Sequence, residues 1–366
     1  MRKAYGIMSL DIMKRGKDVK ERKVYLDYLR VIATVFVIGI HTVSLAATMV
    51  TQGSVEFYVL NSFECIFWVC NLLFVMISGA LLLPIRGEAI GTFYRKRLSK
   101  VAIPMVVCYI IYVCAKEGLV WLHPDHWLFM IGRILTGAPE EAPHFWLIYV
   151  LIWLYVLTPF LRWLVAHIPD SVLAGVITVI FLASALDTYL PLWNIDVHLS
   201  SIMDSLAGVF LLGYFLSKEH KVWVEYLFYA GGVLSLAISF LWIVKMPDYA
   251  NYIYQSAPTM MLYASALFLF VKRLSSKHTQ EGRVIRLISK YSYSMLLLHW
   301  GVLHVAVKQI LHVNVLSGGI VGGCLLMMVL TFLISLAGAI LFEHTVLWFI
   351  YWIFDKIGDV FSKVKQ

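Results

Sequence analysis

The sequence predicts an all-α fold: a polytopic bundle of about ten transmembrane helices with both termini in the cytoplasm. Three observations carry this expectation. The 366 residues are 61% hydrophobic and only 14% charged, with a mean hydropathy of +0.80, whereas a soluble domain carries about 25% charged residues. Apolar stretches long enough to cross a bilayer recur along the whole chain. The net charge of +8 is concentrated in alternate connecting segments, as the positive-inside rule requires.

In chain order the expected spans cover about 24–48, 58–83, 101–122, 146–165, 171–189, 200–217, 223–245, 258–272, 291–312 and 318–342, of which 258–272 is the shortest for a bilayer crossing. No stretch alternates with period two, so a membrane β-barrel is excluded. With the N-terminus inside, the inner segments are 1–23, 84–100, 162–170, 217–222, 272–290 and 343–366. They hold every Lys and Arg except Arg30, Lys116, Arg133, Lys245 and Lys308. The basic balance therefore reads as membrane orientation, and no separate basic domain points to nucleic acid.

Residues 1–23 are basic but include Asp11, Asp18 and Glu21. They read as a cytoplasmic tail rather than a cleaved leader, since no short apolar region with a small-residue cleavage site follows. Residues 24–354 are expected to form one membrane domain and 355–366 a second cytoplasmic tail. The five cysteines, Cys65, Cys70, Cys108, Cys114 and Cys324, all lie in apolar spans without metal-ligand spacing, so they read as small core residues. Among the expected outer loops, Gly137–Pro143 is a rigid acidic turn, and Asp187–Asp196 and Pro247–Tyr254 carry aromatics and acids. Aromatics there serve either as interfacial anchors or as a platform for carbohydrate. No internal repeat of the kind found in many transporters is evident.

The first span holds two ionisable groups, Arg30 and His41. Such groups are costly inside a membrane and default to a functional hypothesis. Eleven helical steps of about 100° bring them within roughly 20° of one face, with a rise of roughly 16 Å between them. That geometry suits a long ligand with a charged head. The second span adds Glu64, which would orient His41 or an acceptor, or else bond to a neighbouring helix. Further motifs follow: Ser78-Gly79; the basic run Arg95-Lys96-Arg97 with Lys100; His144 and Trp146 at the start of the fourth span; Lys290-Tyr291-Ser292-Tyr293-Ser294 leading to His299; and Glu343. Ser78-Gly79 reads as a close-packing point between helices more than as a nucleophile. His144 and Trp146 are either interfacial anchors or part of an acceptor tunnel. His299 and His304 are five residues apart, which on an α-helix turns them about 140° from each other. No Ser-His-Asp grouping and no metal site can be read.

Taken in order from about residue 24 to 343, these motifs resemble the acyltransferase family 3 membrane proteins, O-acyltransferases of bacterial surface glycans and related substrates. The resemblance implies transfer of an acyl group, commonly acetyl, from cytoplasmic acetyl-CoA or another acyl-CoA to a hydroxyl of an extracytoplasmic or lipid-linked glycan. It places the protein in the cell membrane, with the bilayer, the acyl-CoA donor and the sugar acceptor as partners and no metal; whether the chain forms a homo-oligomer stays open. The family's Arg and His correspond to Arg30 and His41. Its Arg-x-x-Arg stands here as Arg97-x-x-Lys100, which keeps charge but loses one planar fork. Its late Glu corresponds to Glu343, followed here by His344-Thr345 instead of Arg-Pro, and His299 matches a family His by position.

The chemistry of the residues agrees. Arg30, Arg95, Arg97 and Lys100 suit the phosphates of coenzyme A, and a neutral imidazole at His41 suits removal of a hydroxyl proton during attack on a thioester. Two rival readings remain at this stage: a transporter or flippase of a lipid-linked glycan, and a membrane ligand-sensing module.

Overall fold

The computed structural model describes residues 23–353 except 85–86, 119–122, 137–139, 200–201, 255–256, 277–281 and 316–317, together with Lys356. The two expected tails therefore lie outside the described residues, apart from Lys23 and Lys356, as does the Gly137–Pro139 portion of the acidic turn. Among the described residues the regular structure is entirely helical. Its α-helices are α1 (Val24–Ala47), α2 (Val55–Phe67), α3 (Cys70–Leu82), α4 (Ile90–Glu117), α5 (Pro124–Thr136), α6 (Trp146–His167), α7 (Asp170–Tyr189), α8 (Ile202–Leu216), α9 (Val222–Lys245), α10 (Pro258–Ser275), α11 (Arg283–Gly301) and α12 (Ile320–Phe342).

The described part of each apolar stretch expected to span is largely helical. Among the described residues, seven helical segments are long and apolar enough to cross a membrane: Val24–Ala47, Val55–Leu82, Ile90–Lys116, Pro143–His167, Asp170–Trp193, Val222–Lys245 and Ile320–Ile353. The stretches at 200–217, 258–272 and 291–312 form α8, α10 and the α11 region, which fall short of that combination of length and apolarity. The second span is interrupted at Trp68-Val69, between α2 and α3. Several boundaries move: α11 begins at Arg283 rather than 291, and the last helical segment runs to Ile353 rather than 342. The basic segment read as an inner loop over 84–100 is helical from Ile90, so Arg95, Arg97 and Lys100 stand on α4. Lys and Arg are straight-chain residues that lose little rotamer freedom in a helix, and their charge marks a membrane boundary without breaking the helix.

The chain forms two compact units. The first comprises the described parts of Met1–Ala33, Trp68–Ala102 and Leu147–Gly282; the second comprises those of Thr34–Phe67, Ile103–Trp146 and Arg283–Gln366. Both α1 and α4 contribute to each unit, dividing at Ala33/Thr34 and at Ala102/Ile103.

In the first unit α3 packs against α8, and α9 against α10. Helices in lipid gain little from hydrophobic burial, so close packing carries the association. The glycines show how. A Cβ on Gly79 would collide with the Phe210 carbonyl, and one on Gly213 with the Met76 backbone. The two glycines therefore let α3 and α8 touch backbone to backbone, which makes Ser78-Gly79 a packing point. At the end of α10, Lys272 donates to the carbonyls of Leu216 and Lys218, at 3.2 and 2.5 Å. It thereby caps the C-terminal end of α8, where unpaired carbonyls favour a cation.

The second unit has an apolar core that includes Val43, Ala46, Leu60, Leu303, Val307 and Met327. Gly323 faces the Val315 carbonyl where a Cβ would not fit. Two stretches are π-helical: Val302–Ile310, continuing α11, and Glu343–Leu347, continuing α12. All five cysteines are free, and four are buried.

Candidate active site

The second unit gathers three histidines around one indole. His41 comes from α1, His144 from the short helical turn Pro143–Phe145, and His299 with Trp300 from the end of α11. The ring centres of His41 and His299 lie 5.1 Å apart, and those of His144 and His299 5.0 Å apart at 83°. Trp300 meets His41 edge-on at 5.1 Å and stacks on His144 at 5.7 Å. His144 and His299 are buried, at 6% and 1% exposure.

The local fold explains this convergence. In an unbroken α-helix the N–H of Gly301 pairs with the carbonyl of Leu297. Here Gly301 N–H donates to the Tyr112 hydroxyl at 2.9 Å, and that hydroxyl donates to the Leu297 carbonyl at 2.9 Å. The same carbonyl accepts from His144 Nε2 at 3.1 Å. Two side chains thus dock on the helical ladder where α11 widens into π geometry, the kind of irregularity common at functional sites. Gly301 suits the approach, because a Cβ there would stand 3.0 Å from the Tyr112 ring, a tight contact.

The π turn also corrects one expectation. His299 and His304 do not diverge as on an α-helix. An i→i+5 ladder brings residues five apart back toward one face. His304 packs on Trp300 at 4.3 Å and lies within electrostatic range of both His41 and His299. Its participation was not legible from α-helical phase.

Glu64 is buried and accepts a 2.6 Å hydrogen bond from the Ser44 hydroxyl on α1, one turn beyond His41. Trp146 is 36% exposed and turns outward, while His144, two residues earlier, turns into the cluster. Glu343 opens the π segment after α12 and accepts from the Ser294 hydroxyl at 2.6 Å. Next to it in sequence, His344 shares a 2.9 Å hydrogen bond with the Tyr291 hydroxyl, which also accepts from Lys290 at 2.9 Å.

The first unit holds the other ionisable candidates. Arg30 pairs with Asp27 at 2.8 Å, an i,i+3 contact on α1. Tyr155 is hydrogen-bonded to Ser78 and lies within electrostatic range of Arg97 and Arg30. The Nε of Arg97 is buried without a hydrogen-bond partner among the described residues. Arg95 and Lys100 are exposed. Arg97 is thus the member of the run that faces inward with an unsatisfied donor, a feature suited to an anion.

Two carboxylates that sequence reading left as part of an acidic turn have definite partners. Glu141 is buried, accepts from the Tyr109 hydroxyl at 3.0 Å, pairs with Arg133, and lies 3.7 Å from Lys116. Glu140 pairs with Arg133 as well. Two of the cations that fell outside the inner segments are thereby matched. Among the described residues no group of three metal-ligating side chains is placed to hold a metal ion.

No curated relative and no solved structure matches the chain. A family model described as an acyltransferase domain matches residues 23–344, a range that takes in the histidine cluster, the basic run on α4 and Glu343. The chain belongs to acyltransferase family 3.

Proposed function

We propose that this protein is a membrane O-acyltransferase, moving an acyl group, most simply acetyl, from cytoplasmic acyl-CoA to a hydroxyl of an extracytoplasmic or lipid-linked glycan. The observation that carries the reading is the cluster of His41, His144 and His299 about Trp300, in a chain of this family. In this account His41 takes the proton of the attacking hydroxyl. The hydroxyl oxygen bonds to the acyl carbon, the C–S bond breaks, and the proton passes from His41 to the departing thiolate, which leaves as free coenzyme A. A positioned imidazole contributes about 10²–10⁴-fold to such a step. Glu64 is assigned to holding α1 in place through Ser44. Arg30, Arg95, Arg97 and Lys100 are assigned to the donor phosphates; the unsatisfied Nε of Arg97 supports this. Trp146 and Glu343 are assigned to the acceptor. We place residues 24–354 in the cell membrane as one multi-pass domain with cytoplasmic tails at 1–23 and 355–366.

The test is acetyl-CoA turnover by the full chain in lipid nanodiscs, read as free thiol with and without a crude surface-glycan extract. Extract-dependent thiol release that is lost in His41→Ala supports the assignment. Failure of any acyl-CoA to bind or react would remove the donor and turn the reading toward transport.

A further inference from the structure

Resting on the acyl-transfer reading above, we propose that His144 and His299 form the acceptor-recognition subsite, and that it takes a group with two neighbouring hydrogen-bond donors, the vicinal diol of a sugar or polyol.

The hydrogen bonds determine the tautomers. A carbonyl oxygen only accepts, so a ring nitrogen bonded to it carries the proton. His144 commits Nε2–H to Leu297, and His299 commits Nδ1–H to the Leu296 carbonyl at 2.7 Å. In a neutral ring the other nitrogen is a bare acceptor. Those atoms are His144 Nδ1 and His299 Nε2, and both are buried without a hydrogen-bond partner among the described residues. The two rings are 5.0 Å apart, and His299 is 5.1 Å from His41. One cluster therefore holds two orphaned acceptors beside the proposed base.

Buried orphan acceptors select a donor, because a ligand lacking one leaves them unpaired. The reacting end of a thioester offers a carbonyl oxygen and a sulfur, both acceptors, and satisfies neither nitrogen. A pair of hydroxyls satisfies both while one of them stands next to His41. The atoms are closed to water, so entry requires a side chain to give way. Trp300, which touches His41, His144 and His304, is the ring at that point.

The experiment uses the full chain in nanodiscs with ¹⁵N-labelled histidine. Signals of His144 Nδ1 and His299 Nε2 are assigned with His144→Phe and His299→Phe. Three probes are added separately: glycerol, its trimethyl ether 1,2,3-trimethoxypropane, and acetyl-CoA. Glycerol alone should shift both nitrogens, and His299→Gln, which restores an acceptor oxygen, should keep the shift at His144. In turnover with the glycan extract, His299→Phe should raise KM for the extract about tenfold and leave KM for acetyl-CoA within about twofold. Equal shifts from glycerol and the ether, no shift from glycerol, or a shift from acetyl-CoA alone would overturn the subsite. Absence of thiol release by the wild type with every extract would instead sink the transfer reading, and the nitrogen shifts would still decide this one.

Discussion

The Tyr112 hydroxyl stands between the Gly301 N–H and the Leu297 carbonyl, accepting from one and donating to the other at 2.9 Å. A side chain of α4 thereby completes the backbone hydrogen bonding of α11 at the point where α geometry gives way to π. His299 and Trp300 lie inside that turn, so their placement depends on a residue far away in sequence.

Tyr112→Phe removes the bridge and keeps the ring. The Gly301 N–H and the Leu297 carbonyl lose the hydroxyl between them, and each lost hydrogen bond costs about 0.5–1.5 kcal/mol. We expect a lower thermal midpoint in nanodiscs and reduced thiol release, since His299 and Trp300 lose their support. Unchanged stability and turnover would show that the bridge holds nothing in place.

Arg30 and His41 should separate kinetically. Arg30→Gln is expected to raise KM for acyl-CoA about tenfold, in a manner that weakens with salt, because it removes the proposed phosphate contact. His41→Ala should instead lower kcat by about 10²–10⁴-fold. Steady-state kinetics at two ionic strengths check this. A pure kcat effect at Arg30 would reassign it to supporting α1 through Asp27.

The backbone contact of α3 and α8 makes a stability prediction independent of function. Gly79→Ala and Gly213→Ala each place a Cβ against backbone and should cost about 1–3 kcal/mol or more. Gly175→Ala in α7 meets nothing within 4 Å and should stabilise by about 0.4–1 kcal/mol. Thermal unfolding of the three variants decides it; equal midpoints would contradict the close approach.

Glu141 links pH to stability. Burial opposes its ionised form, but its own backbone N–H, the Tyr109 hydroxyl, Arg133 and Lys116 outweigh that and hold its carboxyl below the usual range. The unfolded chain, with an ordinary Glu value of about 4.3, then binds more protons as pH falls through the window below it. The stabilisation is fully present above that value and is lost on acidification. Wild type should exceed Glu141→Gln in thermal midpoint at neutral pH, and the gap should narrow below about pH 4.3. A gap independent of pH would exclude an ionised Glu141 as its source.

Much of the fold was legible because hydropathy and helical length are properties of local sequence. The described part of every apolar stretch read as a span is largely helical, and Arg30 and His41 share one uninterrupted helix. The break at Trp68-Val69 was hidden, since every residue from Cys65 to Cys70 is apolar. The basic run escaped assignment to α4 because charge reports a membrane boundary and not a helix end. Tyr112 carried no signal at all: its role is made by a carbonyl and an N–H of α11, and backbone groups have no letter in a sequence. His304 was misjudged for a related reason, because its phase follows from the π turn.

By itself, then, the sequence determined an all-helical chain rich in candidate spans, the residues that mark its family, and the presence of Arg30 and His41 on the first helix. The tertiary structure decided which histidines meet, which nitrogen of His144 and of His299 is left without a partner among the described residues, and which acids neutralise Lys116 and Arg133. The division is physical. Burying an apolar surface and closing i→i+4 hydrogen bonds depend on neighbours in the chain. Tautomer, unpaired acceptor and ion-pair partner depend on groups brought together by packing, from residues as distant as Tyr112 and Gly301.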